Sequence, residues 1–304
     1  MTHPRGSGPP APGPAAKPIG AWIDSVALIG PGMADWSAAR EVLSGGQPWR
    51  QSATVAFLPP ILPPAERRRA SLAVRIALAA GHSAVGASSF PAQQLISVFA
   101  SSGGDGTTCH LICDALAQQD PRISPTQFHN SVHNAPSGYW GIAMRSTAPS
   151  TSLCAHDASF SAGLLEAMVQ LQESREPVLL VAYDAPYPEP LRTCRPVSDA
   201  FGVALVLSPH ATGNALMRMS MTLQEALSTR MPDAGLESLR LGIPSARSLP
   251  LLQALARQQE SQVAIDYLDS PDPRRPALRV CLTLSAPPGA DRARHDAAIG
   301  DAVA

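Results

Sequence analysis

The stretch Thr147-Ala148-Pro149-Ser150-Thr151-Ser152-Leu153-Cys154-Ala155-His156-Asp157-Ala158-Ser159-Phe160, continuing to Gln172, decides how the rest of the chain is read. Ser150 to Cys154 predicts a short strand, Ala155 to Asp157 a tight turn, and the residues after it an amphipathic helix. Phe160, Leu164, Met168 and Leu171 recur at intervals of three and four, which places them on one helical face. Asp157 stands where a helix N-cap belongs. A strand that runs into a sharp elbow and then a helix N-terminus is a natural seat for a nucleophile, because the helix dipole favours negative charge there.

Outward from the elbow, Pro177 to Tyr183 predicts a strand buried on both faces, with Phe201 to Ser208 as its neighbour. Upstream, Trp22 to Gly30 predicts a first strand and Leu95 to Ser101 another, the latter followed by the glycine-rich Ser102 to Gly106. Predicted helices cover Trp36 to Leu43, closed by Gly45 and Gly46, then Pro64 to about Ala80, and Thr108 to Gln118. In the second of these Leu72, Ile76 and Ala79 or Ala80 face inward and Arg67, Arg68 and Arg69 outward. Phe128 to Trp140 is loop-like at first and then apolar. Alternating strands and helices make this an α/β chain whose sheet is covered on both faces. Beyond Pro209 the pattern weakens. Met217 to Leu223 alternates loosely, Leu249 to Gln258 predicts a helix, and Gln262 to Leu268 and Leu278 to Leu284 predict strands joined by a proline-rich turn. Residues 1–18, with six prolines and three glycines, read as a disordered tail, and residues 286–304 as a second, flexible one.

A chain of 304 residues can bury a sizeable core. A net charge of −1 gives no electrostatic case for nucleic acid or an anionic membrane. No apolar run is long enough for a membrane span. Five cysteines, an odd number, fit a reducing compartment better than a disulfide framework, so the reading is cytoplasmic.

From about Ala21 to Ser208 the order of elements resembles the first half of β-ketoacyl synthases, the condensing enzymes of the thiolase-like fold. Ala148-Pro149-Ser150-Thr151-Ser152 resembles the Gly-Pro-Ser-x-Ser strand that precedes the active cysteine of that family. Val98 to Gly106 resembles its strand ending in Gly-Ser-Gly, and Val178 to Ala185 the strand that ends in Gly-Gly-x-Glu. His129-Asn130-Ser131-Val132-His133-Asn134 resembles a shortened branch, the chain-length-factor-type partners of aryl polyene and related polyketide pathways. The resemblance implies a thiolase-like (ketosynthase) fold with a complete first half (residues 19–209) and a reduced second half (residues 210–285). It also places the nucleophilic position at Asp157, where a carboxylate cannot carry an acyl group as a thioester. The two histidine motifs of the family's second half are absent; beyond residue 209 stand only His210 and His295.

The resemblance therefore implies a subunit with no catalytic residues of its own. It would pair as a heterodimer with a complete ketosynthase in fatty acid, polyketide or aryl polyene chain elongation, with acyl carrier protein as a further partner. No cofactor and no metal is expected. His129, Asn130, His133, Asn134, Tyr139 and Trp140 are the expected substrate or partner contacts, the last two as a bulky pair that limits chain length. An alternative keeps an acyl-processing thiolase-like enzyme that uses Cys154 or His156. Against it, Cys154 reads as a small residue buried in its strand. A third reading is a module that binds acyl carrier protein through Arg67, Arg68 and Arg69. Cys109, His110 and Cys113 read as part of a core helix rather than as metal ligands, and Gly103-Gly104-Asp105-Gly106 as a turn rather than a phosphate loop.

Overall fold

A computed structural model of the protein describes residues 17–57, 59–119, 122–268 and 278–286. Its elements in chain order are β1 (Ile19–Ile29), α1 (Trp36–Ser44), α2 (Pro64–Arg69), α3 (Leu72–Gly86), β2 (Ile96–Ala100), α4 (Gly106–Leu116), α5 (Pro125–Ser131), α6 (Ala135–Met144), β3 (Ser150–Leu153), α7 (Ser159–Ser174), β4 (Val178–Asp184), α8 (Leu191–Cys194), β5 (Phe201–Ser208), β6 (Met217–Glu225), α9 (Ala234–Gly242), α10 (Leu249–Arg257), β7 (Ser261–Leu268) and β8 (Leu278–Ser285).

The eight strands form one sheet in the order β3-β2-β4-β5-β1-β6-β8-β7. β2 runs parallel to β3 and β4, and every other pair is antiparallel. β4 is buried along its whole length. Its alternate side chains feed two cores, Val178, Leu180 and Ala182 on one face and Leu179, Val181 and Tyr183 on the other. A central strand covered on both sides has this composition because neither face meets water. α3 and α6 fill the second face, while α7, α9 and α10 fill the first. β1 joins the two parts of the chain. The first-half strands lie to one side of it, and the reduced second half adds β6, β8 and β7 to the other. In those three strands Met217, Met219, Met221, Val263, Ile265, Val280, Leu282 and Leu284 are buried, and the residues between them are polar in most cases, as one-sided burial requires.

The structure corrects several sequence expectations. The helix from Pro64 is two helices, because Ser71 caps a new start by accepting from the Val74 N–H at 3.4 Å. Leu72, expected inward, is 42% exposed at that start. The loop-like part of Phe128 to Trp140 is helical. Ser124 and Gln127 form a capping box ahead of Pro125, and a second helix restarts at Ala135 with Pro136 in its first turn. α4 is not a core helix: of its residues only Thr108 is buried, and Cys109 and Cys113 are exposed. The expected tails lie outside the described residues at 1–16 and 287–304, as does the turn between β7 and β8 at 269–277.

Candidate functional site

β3 delivers the chain to the elbow at the edge of the sheet, beside β2. A 3-10 turn, His156–Ala158, follows and leads into α7. α7 lies close against the sheet because Gly163 has no side chain; a Cβ there would stand 2.7 Å from that of Ala100 and 3.0 Å from Leu180. The turn is fastened by Ser159, whose hydroxyl accepts from the Ala155 N–H at 3.0 Å and donates to the His156 carbonyl at 2.7 Å. Ala158, not Asp157, occupies the N-cap, and it makes no side-chain cap bond. His156 adopts the left-handed conformation at φ 52°, uncommon for a residue with a side chain.

Asp157 is spent elsewhere. Its carboxylate lies 2.5 Å from Arg195 Nη2 and 3.3 Å from Arg247 Nη2, with His156 Nδ1 at 3.6 Å. Arg195 follows α8, and Arg247 lies in the 3-10 turn Pro244–Ser248 that enters α10. Arg247 continues to Asp266 on β7 at 2.6 Å, where Arg240 at 2.8 Å and Arg279 at 3.2 Å also converge. Arg240 is held in turn by Glu237 on its own helix, in two hydrogen bonds of 2.8 Å. Burial raises the cost of charge on Asp266, but Ser228, Arg247 and Arg240 outweigh it and hold the carboxyl below its usual range. The elbow is thus the outer end of an ionic network that runs into the second half of the chain.

Behind it, Asp184 at the end of β4 is fully buried. Its carboxylate accepts the Ser102 N–H at 2.9 Å and the Ser245 N–H at 2.7 Å, and burial pushes its carboxyl up despite these bonds. The glycine-rich loop is a turn that enters α4, with Asp105 accepting from the Thr108 N–H at 3.0 Å. The ring of Tyr187 sits on it so closely that a Cβ on Gly103 or Gly106 would come within 2 Å of that side chain.

Cys154 is not buried in its strand; it leaves the end of β3 exposed. Its thiol donates to the Ser102 carbonyl at 3.0 Å. His156 points outward, its side chain 72% exposed. Among the described residues no hydrogen bond joins the Cys154 thiol to a histidine.

The expected contact cluster divides. Tyr139 and Trp140 are fully buried, Trp140 against Phe99 and Gly81. Asn130 is buried too, accepting from the Tyr139 hydroxyl at 3.1 Å and donating to the Arg69 carbonyl at 2.8 Å. These three side chains belong to the interior of the chain: α6 packs its aromatic face onto the sheet. His129 and Asn134 are exposed, His129 edge-on to Tyr139 at 5.5 Å. His133 reaches the elbow, its Nε2–H donating to the Leu153 carbonyl at 2.8 Å. Among the described residues no three His, Cys, Asp or Glu side chains are grouped to hold a metal ion, and no helix is long and apolar enough to cross a membrane.

Sequence reasoning missed Arg195, Arg240, Arg247 and Asp266. Only the Glu237–Arg240 spacing on α9 carried a local signal. The others meet across as many as 109 residues of sequence, from Asp157 to Asp266, along a path that only the fold closes.

On the side of β3, the sheet ends in an edge that no other strand among the described residues pairs. α6 touches that strand, α5 packs on α6 and α4 on α5. Large apolar side chains stand outward along these helices: Leu111 and Leu116 on α4, Phe128 on α5, Val132 just after it, and Ile142 on α6.

The family model for the β-ketoacyl synthase N-terminal domain matches residues 35–267. Among solved structures, a chain of the ketosynthase (ApeO) in complex with its chain length factor (ApeC) from Xenorhabdus doucetiae is 23% identical, with a TM-score of 0.65, covering 86% of this chain and 98% of that one. A chain of the ishigamide ketosynthase/chain length factor is 13% identical, with a TM-score of 0.64, covering 88% and 99%. AntDE:AntF, a type II PKS acyl-carrier protein in complex with its ketosynthase bound to the hexaketide, gives 11% identity and a TM-score of 0.65, covering 89% and 100%. At such identities the likeness speaks for the fold. No curated protein matches the chain.

Proposed function

The chain belongs to the β-ketoacyl synthase family through its N-terminal domain, and on that premise we propose that it is a catalytically silent subunit of chain-length-factor type. It pairs with a complete ketosynthase and helps to wall the cavity in which a polyketide-type acyl chain grows, with aryl polyenes as the product class. One observation carries the reading: Asp157, which the resemblance of Pro149 to Ser152 sets at the family's nucleophile position, is ion-paired to Arg195 and Arg247. A carboxylate so engaged cannot hold an acyl group as a thioester, and its ion pairs restrain it from attack.

The surface supports a partner. An unpaired edge strand is a template for pairing with another chain, and here it is flanked by the exposed apolar side chains of α4, α5 and α6. Pairing across such an edge buries both features together. The test is co-expression with the ketosynthase encoded beside this chain, if one stands there, followed by size-exclusion chromatography and product analysis. Co-elution, lost in a Phe128→Glu, Leu111→Asp variant, and a product length that changes when this chain is omitted are the expected results. Failure to co-elute with any complete ketosynthase, with product unchanged, overturns the reading.

Contact with an acyl carrier protein is the second part of the proposal. Arg67, Arg68 and Arg75 line a concavity of about 400 Å³ with Ala56 and the 75% exposed Phe57. Arg69, by contrast, is paired with Glu66 at 3.3 Å. An acidic carrier would meet three guanidinium groups and an apolar anchor there. Reversing the charge of Arg67 and Arg68 is expected to weaken carrier binding in the assembled complex, and to weaken it less as salt is raised.

A further inference from the structure

We infer that the elbow is an oxyanion cradle built from Arg195 and Arg247, and that Asp157 fills it as an internal counter-ion. The guanidinium groups lie deeper than the carboxylate they hold: Arg195 and Arg247 are 26% and 14% exposed, Asp157 42%. A casual surface pair would leave its long cationic side chains in water; here the cations are fixed by the fold and the anion is brought to them. Among the described residues Arg240, Arg247 and Arg279 converge on Asp266, and Arg195 and Arg247 on Asp157. Asp266 is shared among three guanidinium groups, which leaves Arg195 dependent on Asp157. Donor capacity also remains unspent. Arg247 Nε is buried without an acceptor among the described residues, and Arg195 Nη2 meets Asp157 as a close ion pair without the alignment of a hydrogen bond. Buried cationic donors of this kind favour an oxyanion.

Truncating Asp157 would leave a carboxylate-sized opening that faces solvent, because its turn is itself half exposed. The ligand class that fits is a small carboxylate such as acetate or formate. In the intact chain the elbow is closed to acidic ligands by its own side chain. This inference is independent of partner pairing, and its test involves no partner, so either can fail alone.

The test is thermal unfolding of the full chain and its Asp157→Ala variant in acetate against chloride at constant ionic strength. The variant's midpoint is expected to rise with acetate, by roughly 3 °C per tenfold once the site is filling, while the native chain responds no more than to chloride. Adding Arg247→Met to the variant should abolish the response. Equal acetate responses in native chain and variant, or a response that survives Arg247→Met, overturn the inference. Should Asp157→Ala fail to fold in chloride, the readout becomes refolding yield: recovery with acetate supports the cradle, and no recovery overturns it.

Discussion

The elbow at residues 154–157 and the helix pair α5–α6 adjoin each other through the bond from His133 to Leu153, yet opposite physics holds them. Around the elbow the buried groups are charged, and order comes from ion pairs between guanidinium groups and carboxylates. In α5–α6 the buried groups are neutral: Trp140 and Tyr139 fill volume on the sheet, and Asn130 accepts from the Tyr139 hydroxyl, while Trp140 Nε1 is buried without a hydrogen-bond partner among the described residues. A region of the first kind is sensitive to unbalanced charge and tolerant of shape. The second kind is sensitive to lost volume and indifferent to salt. Substitutions that separate these sensitivities can break the comparison.

The largest effect belongs to volume. Trp140→Ala should cost roughly 3–5 kcal/mol, the usual range for deleting a buried large aromatic side chain, read as a lowered denaturant midpoint that salt does not move. A loss below about 1 kcal/mol would mean that α6 is not fixed on the sheet.

Asp266→Asn comes next. It leaves Arg240, Arg247 and Arg279 without their shared charge, and removing one partner of a mostly buried ion pair costs on the order of 2–4 kcal/mol. The pH dependence follows from the same carboxyl. Its folded-state pKa lies below the ordinary 3.8, so its contribution is fully present above 3.8 and is lost as pH falls through the lower folded value. The native chain should therefore weaken on acidification below 3.8 more steeply than Asp266→Asn, measured by urea midpoints across that range. Parallel curves would show that Asp266 does not carry the linkage.

The smallest effect is Tyr139→Phe, which keeps the ring and removes one neutral hydrogen bond to Asn130, at a cost of about 1 kcal/mol. Chemical unfolding resolves it. A cost approaching that of Trp140→Ala would mean that the neutral network, not the packed volume, holds α5–α6.

Much of the fold was legible because its signals are local. The unbroken apolar run of β4, the alternation of β8, the glycine stop after α1 and the periodicity of α7 each arise within one element, where spacing alone sets which side is buried. The failures share a cause. The break at Ser71 and the helix over Phe128 depend on caps that compete with a plausible alternative, and cap geometry is decided by the chain on both sides of it. α4 looked like a core helix because it is apolar, yet an apolar helix is inside only if the fold puts something over it. The burial of Tyr139 and Trp140 is set by how α6 lies on the sheet, which spacing within the helix does not give.

By itself the sequence determined the elbow between β3 and α7, its kinship with the condensing enzymes, and the presence of a carboxylate, Asp157, at that elbow. These are properties of neighbouring residues. Only the tertiary structure decided what that carboxylate does. As a cap Asp157 would have answered to the N–H groups of its own helix. Instead it answers to Arg195 and Arg247, side chains brought from 38 and 90 residues away in sequence, where the Coulomb attraction of two fixed guanidinium groups exceeds what one capping bond offers.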